Sequence, residues 1–174
     1  PSIHHLHWVL TDRAVTPPGD ALTDREIDTS LAGICGAYCG ACPVYRAWAD
    51  QDGPRLEALA LALHTTPDRL MCTGCRTPSA FCFGGDCSIK QCAQHRGVVF
   101  CTECADYPCE RIHAFQAAAP YRAALCRDAR RIHEAGVAAW LREEDAAWRC
   151  PGCGARIAAG ADVCASCQRP LPNL

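Results

Sequence analysis

Two Cys-x-x-Cys pairs, CPGC at Cys150 and Cys153 and CASC at Cys164 and Cys167, constrain this chain more than any other feature. Four thiols so spaced can close one tetrahedral metal shell, and zinc is the natural occupant. Each pair sets two sulfurs about one turn apart on a tight bend. The ten residues between the pairs suffice for a short hairpin that folds the second pair back onto the first. The segment 148–174 therefore reads as a β-hairpin zinc ribbon.

Twelve further cysteines lie upstream, making sixteen in 174 residues, about 9%. That density means either a disulfide scaffold or a set of metal sites. The first residues, PSIHHLHWVLTDRAV, show no basic n-region, no uninterrupted apolar run and no cleavage site, so the expected compartment is the reducing cytoplasm. Thiols two residues apart also make strained rings rather than the long cross-links that stabilise small secreted domains. Metal coordination is the reading that follows.

Charge gives no reason to expect nucleic acid: the formal net charge is -2 and the pI about 6.4, without the basic surplus of nucleic-acid binders. The longest apolar stretch, Leu56 to Leu63, is interrupted by Glu57 and is far shorter than the ~20 residues of a bilayer span.

Four segments emerge. Residues 1–30 carry Pro17, Pro18, Gly19 and the histidines His4, His5 and His7 without sustained periodicity, and read as a poorly ordered arm. Residues 31–118 are the cysteine-dense region. Within it helices are expected from Pro43, from Pro54 to about His64, from Ser88 to about His95, and from about Pro108 through Ile112 and Phe115. Residues 119–147 read as a connector of two helices meeting near Gly136, and 148–174 as the ribbon. Arg127, Arg130 and Arg131 share a helical face, but Asp128, Glu134, Glu143, Glu144 and Asp145 offset them, so that face reads as solvated. The fold class is thus small, metal-scaffolded and mostly α, with irregular knuckle loops.

The upstream ligand candidates are Cys35, Cys39, Cys42, Cys72, Cys75, Cys82, Cys87, Cys92, Cys101, Cys104 and Cys109, eleven thiols within 75 residues. So short and loop-rich a segment builds only a marginal apolar core and needs staples. Zinc supplies them, because a structural site contributes on the order of 10–16 kcal/mol of apparent folding energy. Eleven is one short of three four-ligand shells. His95, three residues after Cys92, and Cys126 are rivals for the twelfth place, and two closed sites with spare thiols also fit. The Cys-x-x-x-Cys-x-x-Cys run at Cys35, Cys39 and Cys42 is also how radical S-adenosylmethionine enzymes hold an iron-sulfur cluster. The chain has neither the length nor the strand–helix alternation of their barrel. A plain [4Fe-4S] cluster completed by another thiol is the alternative to zinc here.

Taken together, ICGAYCGACPVY, CTGCR, CSIKQCA followed by Gly97, and CTECADYPCERI resemble the cysteine-rich bacterial and archaeal family called domain of unknown function 3795. The likeness covers about residues 31–118. It implies zinc binding through Cys35, Cys39, Cys42, Cys72, Cys75, Cys87, Cys92, Cys101, Cys104 and Cys109, and no established reaction. Cys82 departs from the usual spacing, and His95 and Cys126 lie outside the motif.

No Ser-His-Asp order, phosphate-binding glycine loop or paired-carboxylate motif stands out, so catalysis is not the leading reading. The leading one is a structural-zinc protein that presents surfaces to a macromolecular partner, expected to be a protein. Tyr38, Tyr45, Trp48 and Tyr107 are the candidate exposed contacts. An iron-sulfur electron-transfer or redox-sensing protein is the alternative. Nucleic-acid binding through a ribbon face at Arg149, Arg156 and Arg169 is the third reading.

Overall fold

Proline and glycine punctuation sets out the helices of the computed structural model, which describes residues 28–76 and 87–172. Helix α1, Pro43–Ala49, and α2, Gly53–Ala62, each carry proline in the first turn, where the missing N–H costs nothing. Asp52 caps α2 by accepting from the Arg55 N–H at 3.1 Å. Helix α3, Ser88–Arg96, stops at Gly97, whose φ of 66° is the left-handed C-cap that glycine adopts without strain. Helices α4, Glu110–Ala117, and α5, Pro120–Cys126, pack on one another. Helices α6, Arg131–Ala135, and α7, Val137–Ala147, meet at Gly136, as expected. The φ of 80° and ψ of 160° there lie in a region essentially confined to glycine.

The helices expected at Pro43, Pro54, Ser88 and Pro108 are all present, the last beginning two residues later at Glu110. The connector differs, because α5 precedes the pair joined at Gly136. The expected ribbon hairpin is also different. Among the described residues there are only isolated bridges, Arg149 with Arg156 and Val163 with Pro170, and no strand. Each Cys-x-x-Cys bend closes on its own flanking residues, leaving the intervening chain no partner with which to extend a ladder.

One apolar core runs through the cysteine-rich segment, the connector and the knuckles. It joins Leu31, Tyr38 and Phe100 to Leu125, Ile132, Trp140 and Leu141, and these to Trp148 and Ile157. Tyr38 meets Trp140 edge to face, with ring centroids 6.3 Å apart. A smaller cluster of Val44, Ala47, Leu56, Ala60 and Leu70 fastens α1, α2 and the 3-10 turn Pro67–Leu70. Tyr38, expected as an exposed contact, is buried because its ring fills this core, whereas Trp48 is exposed and Tyr45 and Tyr107 are half-buried. No helix among the described residues is long and apolar enough to cross a membrane. The arm 1–27, with His4, His5 and His7, and Cys82 lie outside the described residues.

Candidate metal centre

The two knuckles are structural copies offset by fourteen residues. In the first, the Cys150 N–H donates to the Ala155 carbonyl at 2.8 Å, Gly154 to Cys150 at 2.9 Å, and Ile157 to Trp148 at 3.0 Å. Adding 14 to every number gives the second: Cys164 to Arg169 at 2.9 Å, Gln168 to Cys164 at 2.9 Å, and Leu171 to Asp162 at 2.8 Å. Gly154 and Gln168 occupy the same left-handed position, at φ 72° and 58°.

This repeat brings the four sulfurs together, all within 4.8 Å of one another. Cys150 and Cys167 are 3.7 Å apart, and Cys153 and Cys164 are 3.6 Å apart. Four sulfurs at the usual zinc distance of about 2.3 Å from one ion must lie about 3.8 Å apart by tetrahedral geometry, so this donor set fits one such ion. The leading cysteine of each knuckle is buried in the core, and the trailing one, Cys153 or Cys167, faces solvent. Backbone amides on the bends favour thiolates. The Gly152 N–H, donating to Cys150 Sγ at 3.4 Å, lowers that thiol. The Cys167 and Ser166 N–H groups, outweighing burial, bring Cys164 down to about 6. The Ala155 N–H favours the Cys153 thiolate too, but thiol contacts with Cys167, Cys164 and Cys150 carry it up to about 12.

Asp145 on α7 holds the ribbon in place. Its carboxylate accepts from Arg149 Nη2 at 2.6 Å, Arg156 Nε at 2.9 Å and the Tyr38 hydroxyl at 3.2 Å. Burial opposes the charge, yet the Arg149 and Arg156 guanidiniums hold the carboxyl below the usual range. The Ala159 N–H adds a backbone bond to the Ala41 carbonyl at 2.8 Å. In the sequence Asp145 reads only as a counter-charge. Its i,i+4 spacing to Arg149 was the visible signal.

The upstream thiols sort into two cavities. Cys35, Cys39, Cys42, Cys72, Cys75 and Cys87 line one of about 130 Å³. Cys92, Cys101, Cys104 and Cys109 line another of about 180 Å³. The regions adjoin through the backbone, where the Ile34 N–H donates to Cys75 Sγ at 3.2 Å and the Ile34 carbonyl accepts from the Cys101 N–H at 2.8 Å. Burial pushes the Cys42 thiol up to about 11. Burial first, and then neighbouring thiols including Cys35, Cys109 and Cys92, push Cys101 up to about 12. A bound cation would reverse that preference. Cys126, one rival twelfth ligand, is buried and its thiol is lowered by the neighbouring Cys35 thiol, while His95, the other, is exposed and does not line the four-thiol cavity. No disulfide is present among the described cysteines.

The family described as "Protein of unknown function (DUF3795)" matches residues 31–114. No curated protein and no solved structure matches the chain. The chain therefore carries, at residues 31–114, a domain of the DUF3795 family, with the four-sulfur knuckle pair lying beyond the matched segment.

Proposed function

We propose that this is a structural-zinc protein, in which one Zn²⁺ on Cys150, Cys153, Cys164 and Cys167 fixes the C-terminal ribbon against the DUF3795 domain, and that the assembled surface binds another protein. The observation that carries the zinc reading is the four-sulfur cluster, whose separations of 3.6 and 3.7 Å match the edges of a single tetrahedral shell. A closed Cys₄ shell has no open position for substrate, which supports a structural rather than a catalytic ion.

The preference for protein over nucleic acid rests on the arginines. Arg149 and Arg156, two of the three residues of the supposed basic face, both direct their guanidiniums to Asp145. That carboxylate offsets one of the three positive charges of the face, and the chain as a whole carries a formal net charge of -2, so there is no basic surplus to displace counterions from a phosphate backbone.

Elemental analysis of the full chain tests the zinc reading. The wild type should retain one more zinc per chain than the Cys153→Ser/Cys167→Ser double variant, and equal zinc in the two would refute it. Steeply salt-dependent retention on immobilised duplex DNA would overturn the preference for a protein partner.

A further inference from the structure

We propose that Cys92, Cys101, Cys104 and Cys109 together hold one iron–sulfur cluster, separate from the zinc of the ribbon. Four thiols from three places in the chain converge on a single cavity: Cys92 from within α3, Cys101 and Cys104 from the 3-10 turn Cys101–Glu103 and its end, and Cys109 from the residue before α4. Four cysteines are the usual ligand set of a cubane cluster.

Spacing distinguishes the cluster from a lone ion. In the ribbon of this same chain the four sulfurs already stand at the edges of a zinc shell. Among the described residues outside the ribbon, no three cysteine sulfurs approach within 4.8 Å of one another. The four instead share the lining of a cavity of about 180 Å³. A single tetrahedral ion would have to draw them inward, whereas a core of several irons and sulfides sets its thiolates farther apart and fills the space between.

Backbone hydrogen bonds fix the positions from which these side chains reach the cavity. The Cys104 N–H donates to the Cys101 carbonyl and the Tyr107 N–H to the Cys104 carbonyl, each at 3.0 Å. The Glu103 carboxylate caps the turn by accepting from the Val99 N–H at 2.8 Å. The His113 N–H bonds to the Cys109 carbonyl at 3.0 Å, fixing the entry to α4. Arg96 supplies the remaining element, donating from Nη1 to Cys104 Sγ at 3.0 Å while Asp106 holds the same guanidinium at 2.5 Å. N–H donors to ligating sulfur spread the negative charge of a thiolate-bound cluster and set its potential.

The full chain, purified without oxygen and reconstituted with ferrous iron and sulfide, supplies the test. Iron, acid-labile sulfide and zinc are measured on the same sample. Cys92→Ser and Cys104→Ser should each remove the same increment, about four irons and four sulfides per chain for a cubane. The double variant should remove no more than either single one, and the ribbon zinc should stay constant in all of them. Loss of zinc without sulfide from Cys92→Ser, or a double variant that loses twice the iron of a single, would overturn the proposal. A measurement on the wild type avoids any folding defect of the variants. In the loaded chain Cys92, Cys101, Cys104 and Cys109 should resist alkylation and become reactive together when the cluster is destroyed. Alkylation of any one of them in the loaded chain at the rate of a free thiol would also overturn it.

Discussion

The Tyr38 hydroxyl donates to Asp145 across 107 residues of sequence, at 3.2 Å, in the centre of the core that joins the DUF3795 domain to the ribbon. Arg156 Nε donates to the same oxygen, Oδ1, at 2.9 Å, while Arg149 donates to Oδ2. One acidic side chain thus couples three parts of the molecule.

Removal of that carboxylate leaves a buried hydroxyl without its acceptor and takes the counter-charge from two partly exposed guanidiniums, one of which keeps its bond to the Gly154 carbonyl. Asp145→Ala should cost about 2–4 kcal/mol, while Tyr38→Phe, which deletes one neutral donor, should cost about 0.5–1.5 kcal/mol. Because Arg149 and Arg156 lower the carboxyl, its contribution is complete above the ordinary aspartate range and disappears as pH falls through the depressed folded value. Denaturant titration at fixed zinc measures both variants. A Tyr38→Phe penalty that persists unchanged in the Asp145→Ala background would show that the two residues are not coupled.

Glu144, the residue before Asp145, behaves oppositely. It is buried, accepts from Trp148 Nε1 at 3.0 Å, and burial carries its carboxyl up to about 7. The folded state therefore holds a proton that the unfolded state releases, and stability falls as pH rises from the ordinary glutamate range, near 4.3, to about 7. Glu144→Gln keeps an acceptor for Trp148 and removes the titration. At pH 8 it should be about 1–3 kcal/mol more stable than the wild type, with the advantage fading toward pH 5. Parallel stability curves for the two proteins across this range would contradict the assignment.

The knuckle repeat makes a prediction about backbone strain. Gln168 sits at φ 58° where its counterpart Gly154 sits at 72°. A side chain in the left-handed region costs roughly 1–2 kcal/mol, and here it is partly offset by the Gln168 Nε2 bond to the Ala165 carbonyl at 3.1 Å. Gln168→Gly should stabilise the ribbon by about 0.5–1 kcal/mol, and Gly154→Gln should destabilise it by a similar amount. Competition with a chelator reads both as shifts in zinc retention.

Much of this was legible in the sequence because the signals were local. Pro43 and Pro54 mark helix starts, Gly97 and Gly136 mark breaks, and CPGC with CASC announces a four-sulfur site. Relationships set by packing were not legible. Helix α5 is short and alanine-rich, and its apolar positions merged with those of its neighbours. The division of the upstream thiols depends on α3, since Cys87 at its start lines one cavity and Cys92 within it lines the other. Five residues turn about 140° around a helix, but only the packed fold shows where each side then lands. Spacing alone suggested a hairpin between the knuckles. It could not show that each would close on itself.

Metal removal should reach well beyond the knuckles. Cys150, Ile157, Ala159 and Cys164 belong to the same buried cluster as Trp140, Leu141 and Tyr38, so opening the ribbon removes one wall of the central core. A structural zinc site contributes on the order of 10–16 kcal/mol of apparent folding energy, which exceeds the net stability of a typical domain, about 5–15 kcal/mol, over most of its range. Chelation of the reduced chain should therefore loosen the environment of Trp140 and Trp148, both fully buried when folded, and abolish the sharp thermal transition. Re-addition of one equivalent of zinc should restore both signals. Near-ultraviolet circular dichroism and tryptophan fluorescence follow the change. Were the tryptophans to keep their signals after complete zinc removal, the core would be self-sufficient and the ribbon's ion would be incidental to the fold.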